Sequence, residues 1–178
     1  MAQRFVALLR GINVGRAKRV PMAELRAAVE GLGFTDVRTL LNSGNVVFSG
    51  AGRALDQTAR ALEEAVAERT GVRARVTVLT GADFSRILAA NPLVEHATDP
   101  SRAHVAFLRE PRLAHRMLES LAAQSWEPEA LAVGANAAYL WCPHGITGGQ
   151  LAAAVDKALG DQVTMRNLGT VTRLQALL

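Results

Sequence analysis

The run Val37-Arg38-Thr39-Leu40-Leu41-Asn42-Ser43-Gly44-Asn45-Val46-Val47-Phe48 holds two strand-like segments, Val37 to Leu41 and Asn45 to Phe48, separated by three residues of turn chemistry. The two segments therefore pair directly as a hairpin. Upstream, Met22, Leu25, Ala28, Val29 and Leu32 recur at helical spacing. Pro21 stands where a first helical residue belongs, and Gly31 and Gly33 close the helix. Before it, residues 4 to 9 form a compact apolar strand that ends at the Gly11 to Gly15 loop. Downstream, Leu55, Ala59, Leu62, Ala65 and Val66 mark a second helix that stops at Gly71. Val72, Ala74, Val76 and Val78 then alternate with Arg73, Arg75 and Thr77, the period of a strand with one solvated face. Residues 4 to 79 thus read β-α-β-β-α-β, the ferredoxin-like, split β-α-β order.

The same order returns further on. Gly81 to Ala90 reads as a connecting helix, and Asn91-Pro92 and Asp99-Pro100 bracket a polar linker. After it come a strand (His104 to Leu108), an amphipathic helix (Arg112 to Ala123) and two strands around Gly134-Ala135-Asn136 (Leu131 to Val133, Ala138 to Trp141). A second helix (Gly149 to Leu159), a last strand (Gln162 to Met165) and an added helix (Leu168 to Leu178) complete the chain. The expected fold is α+β, with two ferredoxin-like halves in tandem, each with an antiparallel sheet, plus a carboxy-terminal helix. The halves are placed at residues 1–80 and 102–178, with a helical and polar linker at 81–101.

Composition narrows the class. A chain of 178 residues, 49% hydrophobic, supplies a core without disulfides or a cofactor. The formal charge of +4 is consistent with an anionic partner and equally with an Arg-rich surface that has none. One cysteine, Cys142, excludes an internal disulfide and a multi-Cys zinc site and fits a reducing compartment. The apolar run Phe5 to Leu9 is too short for a signal peptide, and nothing approaches the roughly 20 apolar residues of a membrane span, so a cytoplasmic chain is expected.

Strand order makes the first loop a candidate site. If the third strand lies between the first and second, the loop carrying Arg10, Asn13, Gly15, Arg16, Lys18 and Arg19 shares an edge with Asn42, Ser43, Gly44 and Asn45. Cations, amides and the start of the first helix then converge on a place that favours an anion. Read singly, each of these residues is a turn, a solvated loop or a helix start. A second candidate is Pro143 to Gln150, a glycine-bearing loop before a helix, beside which Cys142 and His144 suggest a nucleophile and base without a third member. Arg166-Asn167 is a third, with Asn167 also a good N-cap. His96, His104 and His115 have no metal-ligand spacing, and no metal or cofactor is expected. Stacking rings for single-stranded RNA are missing: Phe5 and Phe48 stand alone on their strands, and each absent ring forfeits about 1–3 kcal/mol per base.

Val6-Ala7-Leu8-Leu9-Arg10-Gly11-Ile12-Asn13-Val14-Gly15, Val20-Pro21-Met22, Asn42-Ser43-Gly44-Asn45-Val46-Val47-Phe48, Thr164 and Arg166-Asn167 together resemble the bacterial domain of unknown function 1697 family. The likeness runs over nearly the whole chain. It implies an α+β protein of two ferredoxin-like halves, and no activity, substrate or cofactor. Arg10, Asn13, Ser43, Asn45, Arg166 and Asn167 match its motif positions. Two departures stand out: Leu168 replaces an aromatic after the Arg-Asn pair, and Gly148-Gly149 replaces a Ser-Lys pair.

The resulting expectation is a module binding a small phosphate-bearing or nucleotide-like anion through Arg10, Asn13, Gly15, Lys18, Arg19, Asn42, Ser43 and Asn45, with Arg166 and Asn167 as further members. Two alternatives stay open. One is an enzyme acting on a nucleotide or phosphoester, with Arg10 and Arg166 stabilising charge. The other is an assembly module without a small ligand, or a salt-dependent binder of nucleic-acid backbone. No membrane partner is expected, and the oligomeric state is not legible.

Overall fold

A computed structural model of the chain describes residues 2–15, 17–51 and 54–178. The elements run β1 (Gln3–Arg10), α1 (Met22–Gly31), β2 (Thr35–Leu40), β3 (Asn45–Gly50), α2 (Leu55–Thr70), β4 (Arg75–Thr80), α3 (Gly81–Ala89), β5 (Ala103–Leu108), α4 (Pro111–Ala122), β6 (Ala130–Val133), β7 (Ala137–Trp141), α5 (Leu151–Leu159), β8 (Val163–Asn167) and α6 (Leu168–Gln175). The fold is α+β, two tandem β-α-β-β-α-β halves and a carboxy-terminal helix. The chain divides into two compact units, one running through Ser85 and taking in Leu174–Leu178, the other Arg86–Arg173. No helix among the described residues is long and apolar enough to cross a membrane.

In the first unit the antiparallel sheet has the order β2-β3-β1-β4. Alternation along β1 turns Phe5, Ala7 and Leu9 to one face, where they join Val46, Phe48, Val76 and Val78 under Leu25, Ala28 and Val29 of α1 and Leu62 and Val66 of α2. Phe5 and Phe48 stack at 5.5 Å between ring centroids, and Phe34 tilts onto Phe48 at 4.6 Å. Pro21 is the extended residue just before α1 (φ −60°, ψ 139°), one place earlier than its helix-starting chemistry suggests. Its carbonyl accepts the Leu25 N–H at 3.1 Å.

The expected solvated face of β4 is corrected. Alternation holds from Arg73 to Val76 and then stops, because Thr77 and Leu79 are buried as well as Val76 and Val78. Their neighbours on β1, Leu8 and Val6, are also fully buried, so the interior of this sheet carries apolar residues on both sides of the pleat.

In the second unit the order is β6-β7-β5-β8, again antiparallel. Ala106, Leu108, Ala138, Leu140 and Cys142 pack with Ala114 and Leu118 of α4 and Leu151, Val155 and Leu159 of α5. Tyr139 is buried and donates its hydroxyl to the Ile87 carbonyl at 2.7 Å, which places this ring in the core instead of on a base-stacking surface. The last helix ends at Gln175, short of the expected Leu178, and Ser85 donates to Gln175 Oε1 at 3.0 Å.

Candidate functional site

The segment after β1 turns sharply because, among its described residues, Gly11 (φ 74°), Asn13 (φ 55°), Gly15 (φ 62°) and Lys18 (φ 53°) take left-handed backbone. Asparagine and glycine adopt this region most readily. The Asn13 N–H donates to the Lys18 carbonyl at 2.9 Å, folding the segment back on itself. The Asn13 side chain then ties three pieces together. Its Nδ2 donates to the Asn42 carbonyl at 2.6 Å and to the Val20 carbonyl at 3.0 Å, and its Oδ1 accepts the Val20 N–H at 2.8 Å. The first loop and the β2–β3 turn therefore share one edge, as the position of β3 between β1 and β2 requires. Arg16 lies outside the described residues.

The hairpin side is built as tightly. Asn45 is wholly buried, and its Nδ2 donates to the Leu40 carbonyl at 2.8 Å and to Ser43 Oγ at 2.9 Å. The Leu9 N–H donates to the Gly44 carbonyl at 2.8 Å. Asn13 and Asn45 thus spend hydrogen-bonding capacity on the scaffold, and both shape this edge. Lys18, Arg19, Asn42 and Ser43 are exposed, and Arg10 is half-buried at the end of β1. No Asp or Glu occurs in residues 1–23 or 37–55, so both segments meeting here are free of acidic side chains. The nearest acid in sequence, Glu24 in the first turn of α1, is ion-paired with Arg69 of α2 at 3.0 Å.

Asn13→Ala removes three hydrogen bonds at once, each with a net worth of about 1 kcal/mol. The variant is expected to lose about 2 kcal/mol in urea unfolding, with hydrogen exchange at Val20 accelerated. A variant as stable as the parent would mean that the loop is not held by this side chain.

Arg166 and Asn167 lie on β8, in the second unit. Asn167 is the N-cap of α6, its Oδ1 accepting the Thr170 N–H at 2.8 Å. Arg166 donates from Nη1 to the Met165 carbonyl at 2.8 Å, and burial holds its guanidinium down to about 10. The eight residues from Arg10 to Asn45 gather on one edge of the first unit; these two belong to a different sheet.

The loop from Pro143 to Gln150 already has an anion at its helix start. Glu129 Oε2 accepts the Gln150 N–H at 2.9 Å and the Leu151 N–H at 3.1 Å, so the protein's own carboxylate caps α5. A side-chain carbon at Gly149 would run into Glu129 Oε1, which is why a lysine has no room at this position with the present packing. Cys142 is 1% exposed; burial first, then the Glu129 charge and hydrogen bond, push its thiol up to about 12. Such a thiol is protonated and inert, and His144 beside it is exposed. The nucleophile-and-base reading of this pair is not supported. His104 is buried with its pKa lowered by desolvation, its Nδ1 3.2 Å from the Arg102 carbonyl, and His115 Nε2 is 2.8 Å from the Gly134 carbonyl.

The roles of two residues escaped the sequence reading. Glu129 caps a helix that begins 22 positions later, a separation no local motif bridges. Arg75 stands directly opposite Arg10 in the β1–β4 ladder and joins the cations at this end of the sheet. Its signal was the alternation of β4 combined with strand order.

Among solved structures, the conserved bacterial protein SP0830 from Streptococcus pneumoniae is similar to this chain at a TM-score of 0.81, over 99% of both chains, with 24% sequence identity, a likeness of fold. None of the curated proteins matches. A family model described as a protein of unknown function, DUF1697, matches residues 2–139, a span that ends within β7 and leaves Arg166 and Asn167 beyond it. This span holds both the Arg10 to Gly15 run and the Asn42 to Phe48 run, and it covers well over half of the 178 residues. The chain belongs to the DUF1697 family of proteins of unknown function.

Proposed function

We propose that the edge formed by the Arg10 to Arg19 loop and the Asn42 to Asn45 hairpin binds a phosphate-bearing anion, and that the protein acts as a binding module. The observation that carries this reading is the Asn13 latch. It holds exposed Lys18 and Arg19 against the hairpin, between two segments without a single acidic side chain. Cations kept together in this way repel one another, and the repulsion is relieved when an anion enters. Arg10, Asn42 and Ser43 supply donors around the same place, while Asn13, Gly15 and Asn45 shape it. A role in covalent chemistry draws no support from Cys142, whose thiol is protonated and buried.

The test is thermal stabilisation by inorganic phosphate and by nucleotides, compared between the parent and the triple variant Arg10→Ala, Lys18→Ala, Arg19→Ala. Ligand binding to the folded state raises its stability by mass action. The parent is expected to show a concentration-dependent rise in Tm that the triple variant loses. An equal rise in both would overturn the proposal.

A further inference from the structure

Resting on the anion edge proposed above, we infer that its ligand presents consecutive phosphates in a row, and that Arg75 of β4 is a further binding residue for them. The geometry comes from strand order. β1 lies between β3 and β4, so the end of the sheet carries in sequence the β2–β3 hairpin at Asn42 and Ser43, Arg10 at the close of β1, and Arg75 at the opening of β4. Neighbouring strands are about 4.8 Å apart, so this row spans roughly 10 Å. Lys18 and Arg19 are tied to its hairpin end by the bonds of Asn13 to Val20 and Asn42. Positive charge therefore extends along the sheet end instead of converging on a point. Each strand of a DNA duplex advances one charge about every 3.4 Å of helix axis, so a row of this span is long enough to face more than one phosphate.

The pairing of Arg10 with Arg75 strengthens the inference. They are register partners, and alternation from Leu9 and Val76, which face the helix-covered core, starts both side chains on the other side of the sheet, from which the Arg75 guanidinium reaches back to Glu63 of α2. Like charges directly opposite each other across two strands are destabilising. Glu63 of α2 partly offsets this on the β4 side, with Oε2 3.4 Å from Arg75 Nη1 and Oε1 accepting the Val76 N–H at 2.9 Å. The Arg75 side chain is 54% exposed in that ion pair. Glu63 is only 15% exposed and stays bonded to the Val76 N–H, so a ligand phosphate competes with a fixed carboxylate for the Arg75 guanidinium, the exposed partner of the pair. Arg75 is bidentate by nature, and its planar fork matches a phosphate face.

The experiment measures the affinity of the full chain, at fixed ionic strength, for inorganic phosphate, pyrophosphate, tripolyphosphate and a short single-stranded oligonucleotide. In the parent, affinity is expected to rise at least about tenfold from phosphate to tripolyphosphate. Arg75→Ala is expected to erase most of that rise, Arg75→Lys to restore part of it, and Glu63→Gln to enlarge it by removing the competing charge while keeping an acceptor for Val76. Arg60→Ala, the same loss of charge at an exposed position on α2, is expected to change nothing. Tighter binding of the oligonucleotide than of tripolyphosphate assigns the row to a phosphodiester backbone; the reverse assigns it to a pyrophosphate-type ligand, and either supports the inference. Equal affinities for phosphate and tripolyphosphate, or an Arg75→Ala effect no larger than that of Arg60→Ala, would overturn it while leaving the anion edge standing. No response to any of the four probes would overturn both.

Discussion

Gly44→Ala is expected to lose about 2–5 kcal/mol of folding stability, toward the upper end of that range. Two costs combine at this position. Gly44 has φ 80°, and forcing an L-residue into the left-handed region costs about 1–2 kcal/mol. A Cβ there would also stand 2.7 Å from Leu9 Cβ and 2.8 Å from Ile12 Cδ1. Neither atom gives way easily. Leu9 is 1% exposed on the central strand, and Ile12 is 4% exposed in the same core cluster. Overpacking of this kind costs about 1–3 kcal/mol. The distortion falls on the contact that joins β1 to the hairpin, where the Leu9 N–H meets the Gly44 carbonyl. Urea unfolding followed by circular dichroism reads the loss directly, and phosphate-dependent stabilisation should fall with it. A loss below about 1 kcal/mol would show that the hairpin relaxes away from Leu9 and Ile12 and that the edge is looser than its geometry indicates.

Cys142 is expected to react with iodoacetamide at pH 8 about a thousandfold more slowly in the native protein than a thiol at its ordinary value. The thiolate is the reacting form. With the thiol moved from 9.0 to about 12, the thiolate fraction at pH 8 falls by roughly that factor, and burial restricts the reagent further. In concentrated urea the same residue should label fully and at an ordinary rate. Glu129→Gln removes the neighbouring negative charge but not the burial, which is the larger cause, so it should recover only part of the native reactivity. Fast labelling of the native protein would mean that the Cys142 strand end is open to solvent. It would also revive a reactive-thiol reading of this loop.

The chain's local chemistry made most of the architecture legible. Hydrophobic period distinguished helices from strands throughout, and the Asn42-Ser43-Gly44 turn between two apolar runs was enough to pair β2 with β3. From that hairpin the β-α-β-β-α-β order followed, and with it the expectation that the Arg10 loop and the Asn42 turn meet. Where local reading fell short, the reason was also local. Thr77 reads as a solvated residue because it alternates with valines, yet it is buried, since alternation reports what a strand's two sides are made of and not what covers them. Pro143 to Gln150 reads as a phosphate loop because glycines precede a helix, while its anion is supplied by Glu129 from another segment.

By itself, then, the sequence determined the elements, their order, the family and the edge on which Asn13, Ser43 and Asn45 fall. These follow from preferences expressed within a few residues: backbone freedom at glycine, turn chemistry at asparagine, and the periods of strand and helix. Tertiary structure alone decided the division of labour at that edge. Asn13 bonds to Asn42, Asn45 is buried under its own hairpin, and Arg75 comes to stand opposite Arg10. Each of these contacts is set by how the sheet is ordered and how closely its end is packed. A polar side chain finds its partner among backbone groups that packing brings near, however far apart they lie along the chain.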